Sequence, residues 1–500
     1  MRYFTDLWNR ILGSIRDNCR AESSVSARGK LQLRCEPLEK RDMLSILTWK
    51  GGDGTWSTDP TKKNWTDEYY IESAFEDGDE VIFPAVVLPD DLAVNISPYD
   101  DGTAIHMAVR PSKITFQVDG YQITGDPGCS ITASGAFASQ LPIYVEQTGA
   151  NPEIEATISA PIKDFGGGST TNLRVLASTG SDHTGLLKLD GINTYTGGTD
   201  VAGGMLEAET WRSLPNDAAT DPTYYDIDVT DAGTLIVGTK EVSGVASWTS
   251  AQVSRLLNNS TTTFAPDSNF GMSPDKGTAF EFSGNIPAGD ENFVKLDTGT
   301  LTLSGVNEYE GMTTVKKGTL VATKPAALPG YNDTVNPHKI TVKDNGTTNF
   351  GYGNYDGDDV AGAYDGTKDP CSTLVVRSDT TSSDGWANAE INKLLYGTVN
   401  EPVANWTANP WSAKFDSNTN FGVEVPEGAE FSLEPAAGHF FSLGNVTDRE
   451  VPNPGTAYNR VGFVKLGGGT LIFGNGLFAG PMCIYEGTLK AAEGRFALAC

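Results

Sequence analysis

The chain has 500 residues, 38% hydrophobic and 20% charged, with 56 glycines, 6 cysteines and a formal charge of -28. That composition supports a large core and excludes an intrinsically disordered chain, while the glycine content argues against a mainly helical one. Residues 1–41 carry 9 basic and 5 acidic side chains, so the rest holds 27 basic against 59 acidic; such a body repels nucleic acid and anionic lipid, and nucleic acid is not expected as a partner.

No run of about 18 apolar residues is present, so no transmembrane segment is expected. An ordinary signal peptide, which needs a continuous apolar core, is also missing. From Phe4 to Ile15 the apolar residues Phe4, Leu7, Trp8, Ile11, Leu12 and Ile15 fall at helical spacing and predict one short amphipathic helix. A linker over 19–30 follows, then LQLRCEPLEKRDMLS from Leu31 to Ser45. In it Glu36, Leu38, Glu39, Arg41, Met43 and Leu44 resemble the LEPR-XLL motif found near the N-terminus of many large secreted or surface proteins of planctomycete bacteria. The resemblance implies handling by an export or surface-sorting route, with Cys35 standing where an apolar residue is more usual.

From Ile46 onward short alternating runs separated by Asp-Gly and Gly-Asp turns read as strands. Trp49, Trp56 and Trp65 open this region. They could cap a stack of strands or form a sugar platform; capping is preferred because tryptophans bury more often than they display.

The chain then writes one sentence twice. LKLDGINTYTGGTDVAGGMLEA, Leu187 to Ala208, returns as LTLSGVNEYEGMTTVKKGTLVA, Leu301 to Ala322, with eleven of 22 positions identical. Alternating Leu residues predict half-buried strands, regularly spaced glycines predict corners, and a unit this short must stack on neighbours. The duplication extends outward: WTSAQVSRLL from Trp248 pairs with WANAEINKLL from Trp386, and FVKLDTGTL from Phe293 with FVKLGGGTL from Phe463. The two decapeptides predict short helices docked on the stack, and rising offsets place insertions near 347–370, 397–413 and 436–460. A degenerate third copy starts at Thr470.

Lys295 to Leu320 resembles the autotransporter-associated β-strand repeat, also called the passenger-associated transport repeat, and the likeness spans about residues 46–500. It implies an exported all-β chain folded as a right-handed parallel β-helix (β-solenoid) with short helical excursions, and it carries no catalytic residue. The expected organisation is a leader and targeting segment over 1–45, a cap and first coils over 46–186, repeat units over 187–300 and 301–470, and a partial repeat over 471–500. Stacking coils of about 22 residues at ~4.8 Å predicts a rod of about 90–100 Å. Leu301, Leu303, Val315 and Leu320 should point inward, and Asn307 should satisfy a turn and join an amide ladder.

Chemistry is sparse. His106, His183, His338 and His439 are isolated, and the six cysteines (Cys19, Cys35, Cys129, Cys371, Cys483, Cys500) form no ligand or disulfide pattern. Neither a zinc-protease motif nor a nucleophile elbow is present. Asn354, Asp356, Asp358 and Asp365 sit at calcium-loop spacing, but Asp359 stands where glycine belongs, leaving a weak calcium candidate and otherwise no cofactor. The expected function is a secreted or cell-surface structural or adhesin-like protein, not an enzyme, binding an extracellular polysaccharide or surface protein. The alternative is a polysaccharide-active β-helix enzyme, a lyase or glycoside hydrolase, using a carboxylate pair.

Overall fold

The computed structural model describes residues 45–51, 54–85, 92–134, 139–146, 154–177, 185–215, 226–241, 244–333, 339–343, 371–378, 384–396, 413–416, 419–434, 461–474, 476–478, 482–492 and 496–498. Within them the chain is a parallel β-helix. Strands stack coil on coil into parallel sheets, the longest holding 12 strands. At ~4.8 Å per step that sheet extends about 53 Å. The coils are fewer than a 22-residue period predicts, because many carry helices or long connections between strands, as from Gly238 to Thr262.

Inward side chains form ladders that run through successive coils. One row reads Leu47, Val81, Ile114, Ile143, Val175, Val201, Val229 and Phe264, each residue paired with the next. A second runs Ala156, Leu187, Leu206, Leu235, Phe270 and Phe293. In-register parallel pairing places each apolar residue on its counterpart one coil away, so the two-residue alternation becomes a continuous core. Leu301, Leu303, Val315 and Leu320 lie fully inside it, as the sequence predicts.

The first coil is closed differently. Ile46–Trp49 pairs antiparallel with Trp65–Thr66, which pairs in turn with Glu72–Ser73. Trp49, Trp56 and Trp65 are buried there, with Trp49 and Trp65 meeting edge to face at 4.8 Å and Trp56 packed on Phe75 at 5.4 Å. These rings cover the end of the core and do not form an exposed platform.

The repeats do not return to the same sheets. In the first unit Leu186–Leu189 and Met205–Ala208 lie in the 12-stranded sheet and Thr199–Ala202 in the 10-stranded one. Their counterparts Thr300–Leu303 and Thr319–Ala322 lie in the seven-stranded sheet, and Thr313–Val315 in the 12-stranded one. In the third copy Thr470–Phe473 and Thr488–Ala491 move on again, to a three-stranded sheet. Each handover follows an extra tight corner. After Asn269–Ser273 the chain turns at Gly277, φ +76°, with Thr278 N donating to Asp275 O, and after Thr419–Glu424 it turns at Gly428, φ +75°, with Ala429 N donating to Pro426 O.

Both helices predicted on the stack are present, while the one expected over residues 4–15 lies outside the described residues. We label Ser250–Leu257 α1 and Asn388–Tyr396 α2. Helix α1 buries Val253, Leu256 and Leu257, and the preceding Trp248 donates from Nε1 to Ala208 O at 2.9 Å. The expected insertions fall almost entirely outside the described residues.

Candidate functional site

The repeat motif is first a set of backbone clamps. Asn193 Oδ1 accepts from Ile162 N at 2.8 Å while Nδ2 donates to Ser213 O at 2.6 Å. Asn307 repeats this with Ile286 N at 2.9 Å and Ala327 O at 2.7 Å. Each buried amide therefore ties one coil to the next through main-chain groups that would otherwise lack a partner. These asparagines clamp backbone and do not stack as an amide ladder; an amide contact between coils occurs elsewhere, from Asn292 Nδ2 to Asn269 Oδ1 at 3.3 Å. Two residues along, Tyr195 meets the Thr199 hydroxyl at 2.7 Å and Tyr309 meets Thr313 at 2.6 Å, with burial holding both phenols above their ordinary range.

The lysine of the motif points inward. Lys295 occupies a core row between Met272 and Val315, and its ammonium donates to Leu296 O and Asp297 O at 2.6 Å and to Lys317 O at 3.1 Å. Lys465 does the same with the carbonyls of Leu466, Gly467 and Glu486. Burial pushes the Lys295 amine down to about 7, opposed by the Asp297 charge. Three carbonyl acceptors call for three N–H donors, which only the ammonium supplies.

Two turns hold apolar side chains in solvent. Between Trp65–Thr66 and Glu72–Ser73, Asp67 Oδ1 accepts from Tyr69 N and Ile71 N at 2.9 Å, and Tyr70 takes φ +62°. Tyr69, Tyr70 and Ile71 are 73%, 89% and 61% exposed. A bulky residue at positive φ is uncommon and costs free energy, which the Asp67 hydrogen bonds help to offset. The second turn joins Tyr99–Asp100 to Ile105–His106, with Asp101 accepting from Thr103 N, Thr103 Oγ1 and Ala104 N and pairing with His106 Nε2 at 3.0 Å. The Thr103 hydroxyl and then His106 hold its carboxyl well below the usual range, and Ile105 is exposed beside it.

Carboxylates converge on a lysine at a place that sequence reasoning missed. Lys188 Nζ lies 3.2 Å from Glu155 Oε1, 3.5 Å from Glu207 Oε2 and 3.7 Å from Glu209 Oε1. Glu207 and Glu209 are both buried. Burial pushes Glu207 up to about 7 against the Lys188 charge, and pushes Glu209 up to about 8 with the Glu207 charge adding to it. Burial opposes the Lys188 charge, yet the three glutamates hold that ammonium above its ordinary range. Glu155 keeps 45% of its side chain exposed, but Glu207 and Glu209 are buried, so a sugar chain does not reach that pair as it would an open glycosidase cleft.

The calcium candidates Asn354, Asp356, Asp358 and Asp365 and the targeting residues Glu36, Leu38, Glu39, Arg41, Met43 and Leu44 lie outside the described residues. Among the described residues, no group of three or more His, Cys, Asp or Glu is placed to hold a metal ion, and no helix is long and apolar enough to cross a membrane.

The passenger-associated-transport-repeat family matches residues 184–208, 293–322 and 463–491, the three copies of the motif. Over 280 residues, 55% of this chain, the sequence is 28% identical to the adhesin BmaC autotransporter of Brucella suis biovar 1 (strain 1330). The aligned part spans 7% of that protein's length. No solved structure matches.

Proposed function

We propose that the chain works outside the cell or on its surface as an adhesin-like β-helix, a scaffold of stacked coils that holds contact turns in solvent. The observation that carries this reading is the threefold repeat match within a parallel β-helix, supported by the distant likeness to an autotransporter adhesin. The exposed turn at Tyr69–Ile71 supports it further, since tyrosines held rigidly in water give contact area at low entropic cost. The partner is an extracellular polysaccharide or a surface protein. In this reading the segment from Glu36 to Leu44 directs export or sorting, and the loop from Asn354 to Asp365 binds calcium weakly. No observation favours the sugar-cleaving alternative: Glu207 and Glu209 are buried, and Asp200, which faces Asp228 on the next coil, is ion-paired with Arg174.

Cell fractionation together with binding of the purified full chain to a panel of cell-wall polysaccharides and matrix proteins tests this. The expected result is an envelope or extracellular product that binds at least one target, with binding weakened by Tyr69→Ser combined with Ile71→Ser. A purely cytoplasmic product, or depolymerisation of a polysaccharide in the panel, would overturn it.

A further inference from the structure

The enclosed cluster in the first repeat has an internal control in the second. Lys188 and Glu207 are paired across neighbouring coils, and the same register pairs Thr302 with Val321 one repeat later. Thr323 stands where Glu209 does. These three positions of the second repeat carry no charge, although Glu281 pairs with Thr302 from the preceding coil, so the charged set in the first repeat is an addition to the coil and not a requirement of it.

Its charges do not balance. Three glutamates face one ammonium, and Glu207 Oε1 and Glu209 Oε2 are buried without a hydrogen-bond partner. Gly238 leaves room above them, since a Cβ there would lie 2.4 Å from Glu209 Oε2. Other groups facing the cluster add little positive charge: Ser273 offers a hydroxyl to Glu207, and Asp275, Asp297 and Lys240 act at longer range. Two enclosed carboxylates on one lysine are stable together when one of them carries a proton, which both removes a charge and supplies an O–H donor.

We propose that Lys188, Glu207 and Glu209 form a proton-dependent clasp between coils, closed while the glutamates share a proton and loosened when that proton leaves. Both carboxyls lie above their unfolded values, so the folded chain holds protons more tightly than the unfolded one. The stabilisation is complete in acid, declines above about pH 4.5, and is lost as pH rises through 7 to 8. The second repeat lacks the clasp, and the neighbouring Lys295 is shifted downward, so stability there stays level or rises over the same range.

Hydrogen exchange of the full chain at pH 6 and pH 9, corrected for intrinsic exchange rates, tests this. Protection over residues 186–209 should fall about tenfold or more relative to residues 300–323. A triple variant copying the second repeat, Lys188→Thr, Glu207→Val and Glu209→Thr, should abolish the difference. Should that variant fail to fold, Glu209→Gln, which removes one titrating group at constant volume, is expected to reduce the difference at least severalfold. Parallel behaviour of the two repeats in the wild type, or an unchanged pH difference in Glu209→Gln, would overturn the proposal.

Discussion

Gly311 and Gly318 recur across the repeats for two different physical reasons, and the sequence shows only that they recur. Gly318 has φ +66°, as expected of a corner, and a Cβ there would lie 2.5 Å from Gly299 O. Gly311 is not at positive φ; a Cβ on it would lie 2.1 Å from Glu291 O, so it is glycine to let two coils approach. In the first repeat the positive φ moves one place, to Gly203 at +80°, and Gly204 is pressed against Val175 instead. Periodicity marks these sites but cannot separate backbone conformation from close approach. We expect Gly318→Val to cost roughly 2–4 kcal/mol through strain and overlap together, and Glu308→Gln on the exposed side of the same coil to stay within about 0.5 kcal/mol. Denaturant titration of the two variants checks this; equal midpoints would remove the corner argument. The repeated asparagine was legible as a turn residue. Its role as a clamp between coils was not, because its partners Ile286 and Ala327 lie 21 and 20 residues away.

Among the elements, helix α1 was the most legible. The spacing of Val253, Leu256 and Leu257 gives its buried face, and all three residues are buried. Its start is set by Thr249, whose hydroxyl accepts from Gln252 N while Gln252 Oε1 accepts from Thr249 N at 2.9 Å. Thr249→Ala should destabilise the helix by about 1 kcal/mol, read as faster exchange over 250–257 with little change in the strands beneath. Loss of protection spreading equally into Thr234–Gly238 would show that helix and coil open as one unit. The charged clasp was not legible at this scale. Lys188 and Glu207 occupy the outward positions of alternating strands, where charges are normally solvated. They are covered because groups from later coils, Ser273 among them, close over them, and no local pattern encodes that.

At the scale of the whole β-helix, the alternation of apolar residues and the repeated sentence were enough to give stacked coils, and their parallel arrangement came with the family resemblance. The handover from sheet to sheet was not legible, because it depends on one extra tight corner near Gly277 and another near Gly428. Counterpart strands in successive repeats therefore lie on successive sheets, and strands close in the chain need not be neighbours in space. Thr262–Phe264 ends the 10-stranded sheet, whereas Ala279–Phe282, only a short way along the chain, opens the seven-stranded one beside Thr300–Leu303. Pairwise cysteine cross-linking with a short bifunctional reagent, in a background lacking the native cysteines, tests this central claim most directly. Cysteines replacing Glu281 and Thr302, which face each other across neighbouring coils, should link, as should those replacing Asp200 and Asp228, while cysteines replacing Thr263 and Glu281 should not. Efficient linking of positions 263 and 281, or failure of 281 to link with 302, would contradict the account.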